Sequence, residues 1–218
     1  YFLGDNIGYM HSGALGDIDN DNDLDIITFF NYSEISQSQI PIALINDGNG
    51  EFQLSSNTFN SNVTGNYYTT QVFDINNDGY LDVIYSGSDF LDDILLILYG
   101  NIEGKYNMSN SLKLPLIEDT GGNLALDIDF YDFNSDGLID ILLNMVGEGY
   151  NSSSVEVYIN NGENFTNMTN DYIDHFNFYG NNNWIKWLHL YDIDFDGDID
   201  IIADGLFAMS EPLYWENI

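Results

Sequence analysis

The 218-residue chain carries 36 Asp and Glu against three Lys and Arg, a formal net charge of −33, while 44% of its residues are hydrophobic and 15% aromatic. That balance argues against nucleic acid, whose phosphates need Lys and Arg to neutralise them, and against docking on an anionic membrane surface. The longest apolar run, residues 94–99, falls far short of the ~20 residues of a membrane span, and without cysteine no disulfide can stabilise the fold.

Residue 1 is Tyr, so the chain reads as a processed form or a segment of something longer. After the apolar Tyr1-Phe2-Leu3, four nine-residue segments align without gaps, their starts 57, 58 and 60 residues apart. The first runs from Asp17 to Asp25, with apolar Leu15 two residues before it and Ile26-Ile27 directly after. A strand-like run at 42–45, a turn rich in Gly and Asn, and a short strand holding Phe52 complete this repeat.

The second segment, Asp74 to Asp82, follows Val72 and leads into Val83-Ile84, a run at 94–98 and a fourth strand holding Tyr106. The third, Asp132 to Asp140, follows Phe130 and leads into Ile141-Leu142, a run at 155–159 and a strand holding Phe165. An irregular aromatic stretch then holds Tyr172, Phe176, Phe178, Tyr179, Trp184 and Trp187. The fourth segment, Asp192 to Asp200, follows Leu190 and leads into Ile201-Ile202 and a run at 213–215, with no fourth strand after it.

Sustained helical periodicity is absent throughout. Four antiparallel strands in a repeated unit of this size make a propeller blade. The expectation is an all-β propeller in one domain, 1–218, with four blades over 8–56, 66–114, 122–169 and 183–218. Residues 1–5 would supply the last strand of blade four and close the ring, removing an exposed sheet edge.

In each segment, carboxylates or amides at positions 1, 3, 5 and 9 converge on one cation if the loop curls tightly. Position 7 adds its carbonyl, and hard oxygen ligands select Ca²⁺. The expected ligands are Asp17, Asp19, Asp21, Asp23 and Asp25 in loop one and Asp74, Asn76, Asp78, Tyr80 and Asp82 in loop two. Loop three offers Asp132, Asn134, Asp136, Leu138 and Asp140; loop four offers Asp192, Asp194, Asp196, Asp198 and Asp200. Position 6 is Gly in loops two to four but Asn22 in loop one, which marks loop one as the weakest of three or four calcium sites. An EF-hand would require Glu at position 12 and flanking helices. Position 12 here is Thr28, Tyr85, Leu143 and Ala203, and the flanks are strands.

The blocks from Phe73 to Ile84 and from Leu44 to Phe52 resemble FG-GAP/VCBS repeats. The resemblance implies a calcium-binding propeller of the kind found in integrin α-subunits and many secreted microbial proteins, with the Asp loop joining the first two strands of each blade. Neither the Phe-Gly nor the Gly-Ala-Pro signature of that family is present, and the family commonly builds seven blades.

Asn-X-Ser/Thr sequons at Asn31, Asn62, Asn107, Asn151, Asn164 and Asn167 lie outside the loops and their leading strands, as glycosylation of a secreted or cell-surface protein requires. No catalytic constellation stands out. The histidines His11, His175 and His189 occupy unrelated contexts, and pairs such as Asp127 and Asp129 carry little weight among 36 acids. The expected role is noncatalytic recognition, adhesion or assembly by an unidentified protein or glycan partner. A lectin using the 170–187 aromatics, a propeller from a polysaccharide-degrading enzyme, and a subunit of an extracellular filament are the alternatives.

Overall fold

The computed structural model describes residues 9–31, 41–65, 67–86, 93–115, 124–147, 152–173, 177–179, 184–204 and 213–215. Its elements are strands, with one four-residue helix, α1 (Thr169–Tyr172). No helix among the described residues is long and apolar enough to cross a membrane.

Sheet one is β1 (Tyr9–Gly16), β2 (Asp25–Asn31), β3 (Ile42–Asn46) and β4 (Phe52–Ser55), paired in chain order. Sheet two, in the same order, is β5 (Thr69–Phe73), β6 (Asp82–Ser86), β7 (Asp93–Leu98) and β8 (Ser111–Pro115). Sheet three is β9 (Leu124–Tyr131), β10 (Asp140–Val146), β11 (Ser152–Asn160) and β12 (Phe165–Asn167). An extra strand, β13 (Asn177–Tyr179), pairs with the start of β11. Sheet four is β14 (Trp187–Tyr191), β15 (Asp200–Asp204) and β16 (Leu213–Trp215). All of these pairs are antiparallel, so each repeat forms the meander of a propeller-type blade.

One reading changes in detail. Tyr106 is not in the fourth strand of its repeat, which begins at Ser111. It sits in the preceding turn, bridges Phe59, and is buried with its hydroxyl donated to the Leu81 carbonyl (2.8 Å). A buried tyrosine needs such an acceptor, so the aromatic that looked like a strand residue is a core plug. The closing strand expected from Tyr1-Phe2-Leu3 lies outside the described residues.

The chain divides into two compact units, Tyr1–Pro115 with sheets one and two, and Leu116–Ile218 with sheets three and four. Within each unit the two sheets pack by the same positional rule. In unit one the residues two and four after the ninth loop position of sheet one, Ile27 and Phe29, share a core with Val83 and Tyr85, one and three after that position in sheet two. In unit two Leu142, two after the ninth position of sheet three, shares a core with Ile201 and Ala203, one and three after it in sheet four. The period of two in a strand assigns alternate residues to opposite faces, so one repeat serves two interfaces. Phe29 meets Tyr67 and Tyr85 edge-on at 5.2 and 5.5 Å, the arrangement aromatic quadrupoles favour.

A polar tether recurs at this interface. Ser12 Oγ on β1 accepts the Thr70 N–H of β5 (3.0 Å), and Asp127 Oδ2 on β9 accepts the Leu188 N–H of β14 (3.0 Å). Ser12 and Asp127 occupy the same repeat position, five residues before the loop, and Thr70 and Leu188 both lie four before theirs. Replacing Asp127 by Ala should cost about 1–3 kcal/mol in a denaturant titration, because the Leu188 N–H loses its acceptor at a half-buried site. A change within measurement error would show the tether to be dispensable.

Candidate metal centre

Each Asp-rich segment links the first and second strands of its sheet, and the four share one hydrogen-bond plan. The position-6 N–H donates to Oδ2 of position 1: Asn22 to Asp17 (3.0 Å), Gly79 to Asp74 (2.8 Å), Gly137 to Asp132 (2.8 Å) and Gly197 to Asp192 (3.2 Å). The position-7 N–H of Asp23, Tyr80, Leu138 or Asp198 donates to Oδ1 of Asp21, Asp78, Asp136 or Asp196, at 2.8 to 3.1 Å. The backbone therefore wraps around the side chains at positions 1, 3 and 5.

The wrap needs two left-handed residues per loop. Position 4 is Asn20, Asn77, Ser135 or Phe195, with φ between 57° and 64°, and position 6 has φ of 75° at Asn22 and 89° to 103° at the three glycines. Asn22 thus adopts the conformation of its glycine counterparts, so the backbone difference that singled out loop one is absent; Asn tolerates this region well. Phe195 does not suit it, and its ring is 80% exposed, so packing does not compensate. Phe195→Asn should raise stability by about 0.5–1 kcal/mol through relief of that strain. A lower melting temperature for this variant would count against the strain argument.

Position 9 has a second task that the sequence did not disclose. Asp25, Asp82, Asp140 and Asp200 are buried, and Oδ2 of each accepts the position-2 N–H of Ile18, Ile75, Phe133 or Ile193 at 2.8 to 3.0 Å. Oδ1 of Asp25, Asp82 and Asp140 also accepts an N–H at the end of the third strand, from Asn46 (2.9 Å), Gly100 (2.8 Å) and Asn160 (2.7 Å). These three donors were invisible to motif reading because they lie some twenty residues downstream. Burial pushes the Asp82 carboxyl up to about 6 although both N–H donors pull it down, and burial likewise raises Asp140.

Loops one and four differ from two and three in their donors. In loops two and three the position-3 amide donates to the position-5 carboxylate, Asn76 to Asp78 (3.0 Å) and Asn134 to Asp136 (2.9 Å). In loops one and four position 3 is Asp and position 7 is also Asp, giving five carboxylates in nine residues. There Asp17, Asp19 and Asp21 bring carboxylate oxygens within 4.8 Å of one another, as do Asp192, Asp194 and Asp200. Asp23 Oδ1, Asp192 Oδ1 and Asp198 Oδ1 are buried with no hydrogen-bond donor. Asp19, Asp23, Asp194 and Asp198 are all raised, by partial burial first and then by neighbouring carboxylates. Asp198, which also shares a hydrogen bond with Asp196, reaches about 6.

Orphaned inward oxygens, mutual repulsion and an all-oxygen donor set together fit a hard divalent cation. Calcium would be held by positions 1, 3, 5, 7 and 9 and would supply the positive charge that the crowded carboxylates lack.

A family model for an FG-GAP-like repeat matches residues 31–85 and 132–203, more than half of the chain and three of the four loops. The chain belongs to the FG-GAP-like repeat family. Comparison with curated proteins returns no match. Loop one lies outside the matched segments, yet its backbone plan is that of the other FG-GAP-like loops.

The remaining predicted sites scatter over the surface. Asn62 and Asn164 are exposed, Asn107 is half-buried in a turn, and Asn31 ends β2; Asn151 lies outside the described residues. Asn167 on β12 is engaged: its Nδ2 donates to buried Glu156 (3.3 Å) and its Oδ1 accepts the Thr169 hydroxyl (2.8 Å). Of the aromatic stretch, Tyr172 leans on the inter-sheet core and Trp184 is half-buried, whereas Trp187 is exposed on β14. Phe176 and the side chains of Phe178 and Tyr179 lie outside the described residues. Asp127 accepts the Leu188 N–H as the inter-sheet tether. Burial, and then Asp127, raise Asp129 to about 6, with exposed His189 opposing.

Proposed function

We propose that this FG-GAP-like chain is a four-bladed, calcium-stabilised, noncatalytic module of recognition, adhesion or assembly, acting outside the cell or at its surface. The observation that carries the reading is the equivalence of the four loops. Three N–H-to-carboxylate bonds, from positions 6 to 1, 7 to 5 and 2 to 9, recur in every repeat, whereas catalysis usually needs one site unlike the rest. Sequons exposed at Asn62 and Asn164 fit an extracellular location, with glycans as added modifications. Loops one and four, with five carboxylates each and orphaned oxygens, are the tighter calcium sites, since affinity follows ligand charge.

The test is to immobilise the protein and probe arrays of glycans and extracellular proteins with calcium and with EGTA. Calcium-dependent capture of a defined ligand supports the reading. Turnover of any polysaccharide in the same array overturns the noncatalytic part.

A further inference from the structure

The seams inside the two units follow one positional plan and are filled differently. In unit one Ala14 pairs with Ile27, and Phe29 on the same face meets the rings of Tyr67 and Tyr85 at 5.2 and 5.5 Å. Those two rings are stacked 5.1 Å apart. The repeat equivalents of Ala14, Phe29, Tyr67 and Tyr85 in unit two are Asp129, Asn144, Ile185 and Ala203. Three aromatic rings have become an amide, an aliphatic chain and a methyl group, and one alanine has become a carboxylate. Asp129 pairs with Leu142 and Asp127 with Asn144. All three polar side chains therefore rise from the face of sheet three whose Leu142 packs in the core shared with sheet four.

Two of these side chains carry oxygens that nothing in the seam satisfies. Asn144 is 0% exposed, and its Nδ2 donates to the Ile185 carbonyl (2.9 Å). That bond fixes which end of the amide is oxygen, and Oδ1 meets no donor. Asp129 Oδ2 is likewise buried without a donor. Among the described residues, the other carboxylate or amide oxygens in that condition belong to Asp23, Asp192 and Asp198, all in loops that fit calcium. Asp127, whose Oδ2 holds the Leu188 N–H (3.0 Å), adds a second negative charge beside Asp129. Burial and then Asp127 act against the ionised form of Asp129, and His189 offsets only part of this. A buried water would donate to both orphaned oxygens but leave the negative charge in place. A cation answers the oxygens and the charge together.

We propose that the seam between sheets three and four holds a calcium ion of its own, gripped by Asp129 Oδ2 and Asn144 Oδ1 with the Asp127 carboxylate beside it. The donors are all hard oxygens and two of the three residues are charged, the set that selects calcium over transition metals. The ion fixes the two side chains that reach across the seam, Asn144 to the Ile185 carbonyl and Asp127 to the Leu188 N–H. It thereby joins sheets three and four at the place where a ring cluster joins sheets one and two. Here the repeats stop being alike, and the site adds one ion to the three or four expected of the loops. The inference goes beyond the proposed function and does not depend on calcium in the loops.

The experiment counts calcium ions per full chain by equilibrium dialysis at neutral pH. Asp129→Ala installs the residue found at this position in sheet one and should bind one ion fewer than the parent. Asp196→Ala, in loop four, should lose one ion by itself, and the two changes together should lose two. An Asp129→Ala chain that binds as many ions as the parent overturns the proposal. Loss of an ion in Asp129→Ala but not in Asp196→Ala would keep the seam site and sink the loop reading, so the two failures are told apart. If Asp129→Ala loses its melting transition, Asp129→Asn takes its place. It keeps the shape without the charge and should weaken one site roughly tenfold or more, since affinity follows ligand charge. Crystals grown in calcium give a second reading. An anomalous-scattering peak about 2.3–2.6 Å from both Asp129 Oδ2 and Asn144 Oδ1 supports the site. A water there, at about 2.8 Å and without anomalous signal, overturns it.

Discussion

EGTA should lower the melting temperature by roughly 10–20 °C, and excess Ca²⁺ should restore it. Extracellular modules bind calcium with Kd of roughly 10⁻⁴ to 10⁻³ M, and at millimolar calcium the tighter end contributes about 1.4 kcal/mol per site by mass action. Four sites approach about 6 kcal/mol, comparable with the whole stability of an ordinary domain, and each kcal/mol shifts the melting of a chain this size by about 2–4 °C. Calorimetric titration should find three or four sites. A melting curve indifferent to chelation would sink the structural role of calcium.

Acid should act in opposite directions on the two forms. Asp82, Asp129 and Asp198 have folded-state pKa values near 6, raised by burial first, against about 3.9 in an unfolded chain. Between those values the folded protein binds more protons than the unfolded one, so the metal-free protein gains stability as pH falls from 7 towards 5 and loses it as pH rises through 6. The calcium-loaded protein should show the reverse, because protons compete with the cation for the same carboxylates. Melting curves at pH 7.0 and 5.5, each with calcium and with EGTA, check the crossing. Parallel shifts of both forms would contradict it.

Asp82→Ala should cost about 2–5 kcal/mol, and the cost should persist in EGTA. Its two oxygens accept the N–H groups of Ile75 and Gly100 inside the protein, and removing them leaves two donors unpaired at about 1–3 kcal/mol each. Asp78→Ala is the contrast. Asp78 is exposed, accepts only the Tyr80 N–H and the Asn76 amide of its own loop, and is a proposed calcium ligand. Its cost should be marked in calcium and small in EGTA. Equal losses for the two variants under chelation would mean that position 9 is a ligand and not also a structural staple.

The repeat, the strand meanders and the loop positions were legible from sequence because each rests on local information. A period of two in apolar residues marks a strand wherever it lies. Asp at alternate positions with Gly or Asn between them admits few backbone paths. Gly79, Gly137 and Gly197 announced their positive φ by identity; Phe195 did not, because nothing in its chemistry asks for that conformation. Tyr106 read as a strand residue since its spacing suited one, whereas the hydrogen bond to the Leu81 carbonyl that makes it a core plug spans 25 residues.

What only the tertiary structure decided is which face of each strand meets what. The sequence places Leu15, Val72 and Leu190 at one repeat position and gives all three the same apolar character. Val72 and Leu190 pack against a neighbouring sheet while Leu15 is 62% exposed among the described residues, since burial depends on what packs against a residue and not on the residue itself. The same holds for the ninth loop position: its carboxylate is a predictable ligand by spacing, but its grip on the Asn46, Gly100 and Asn160 amides arises from the third strand folding back beside it. Local pattern determines what a residue offers, and chain reversal over some twenty residues or more determines what receives it.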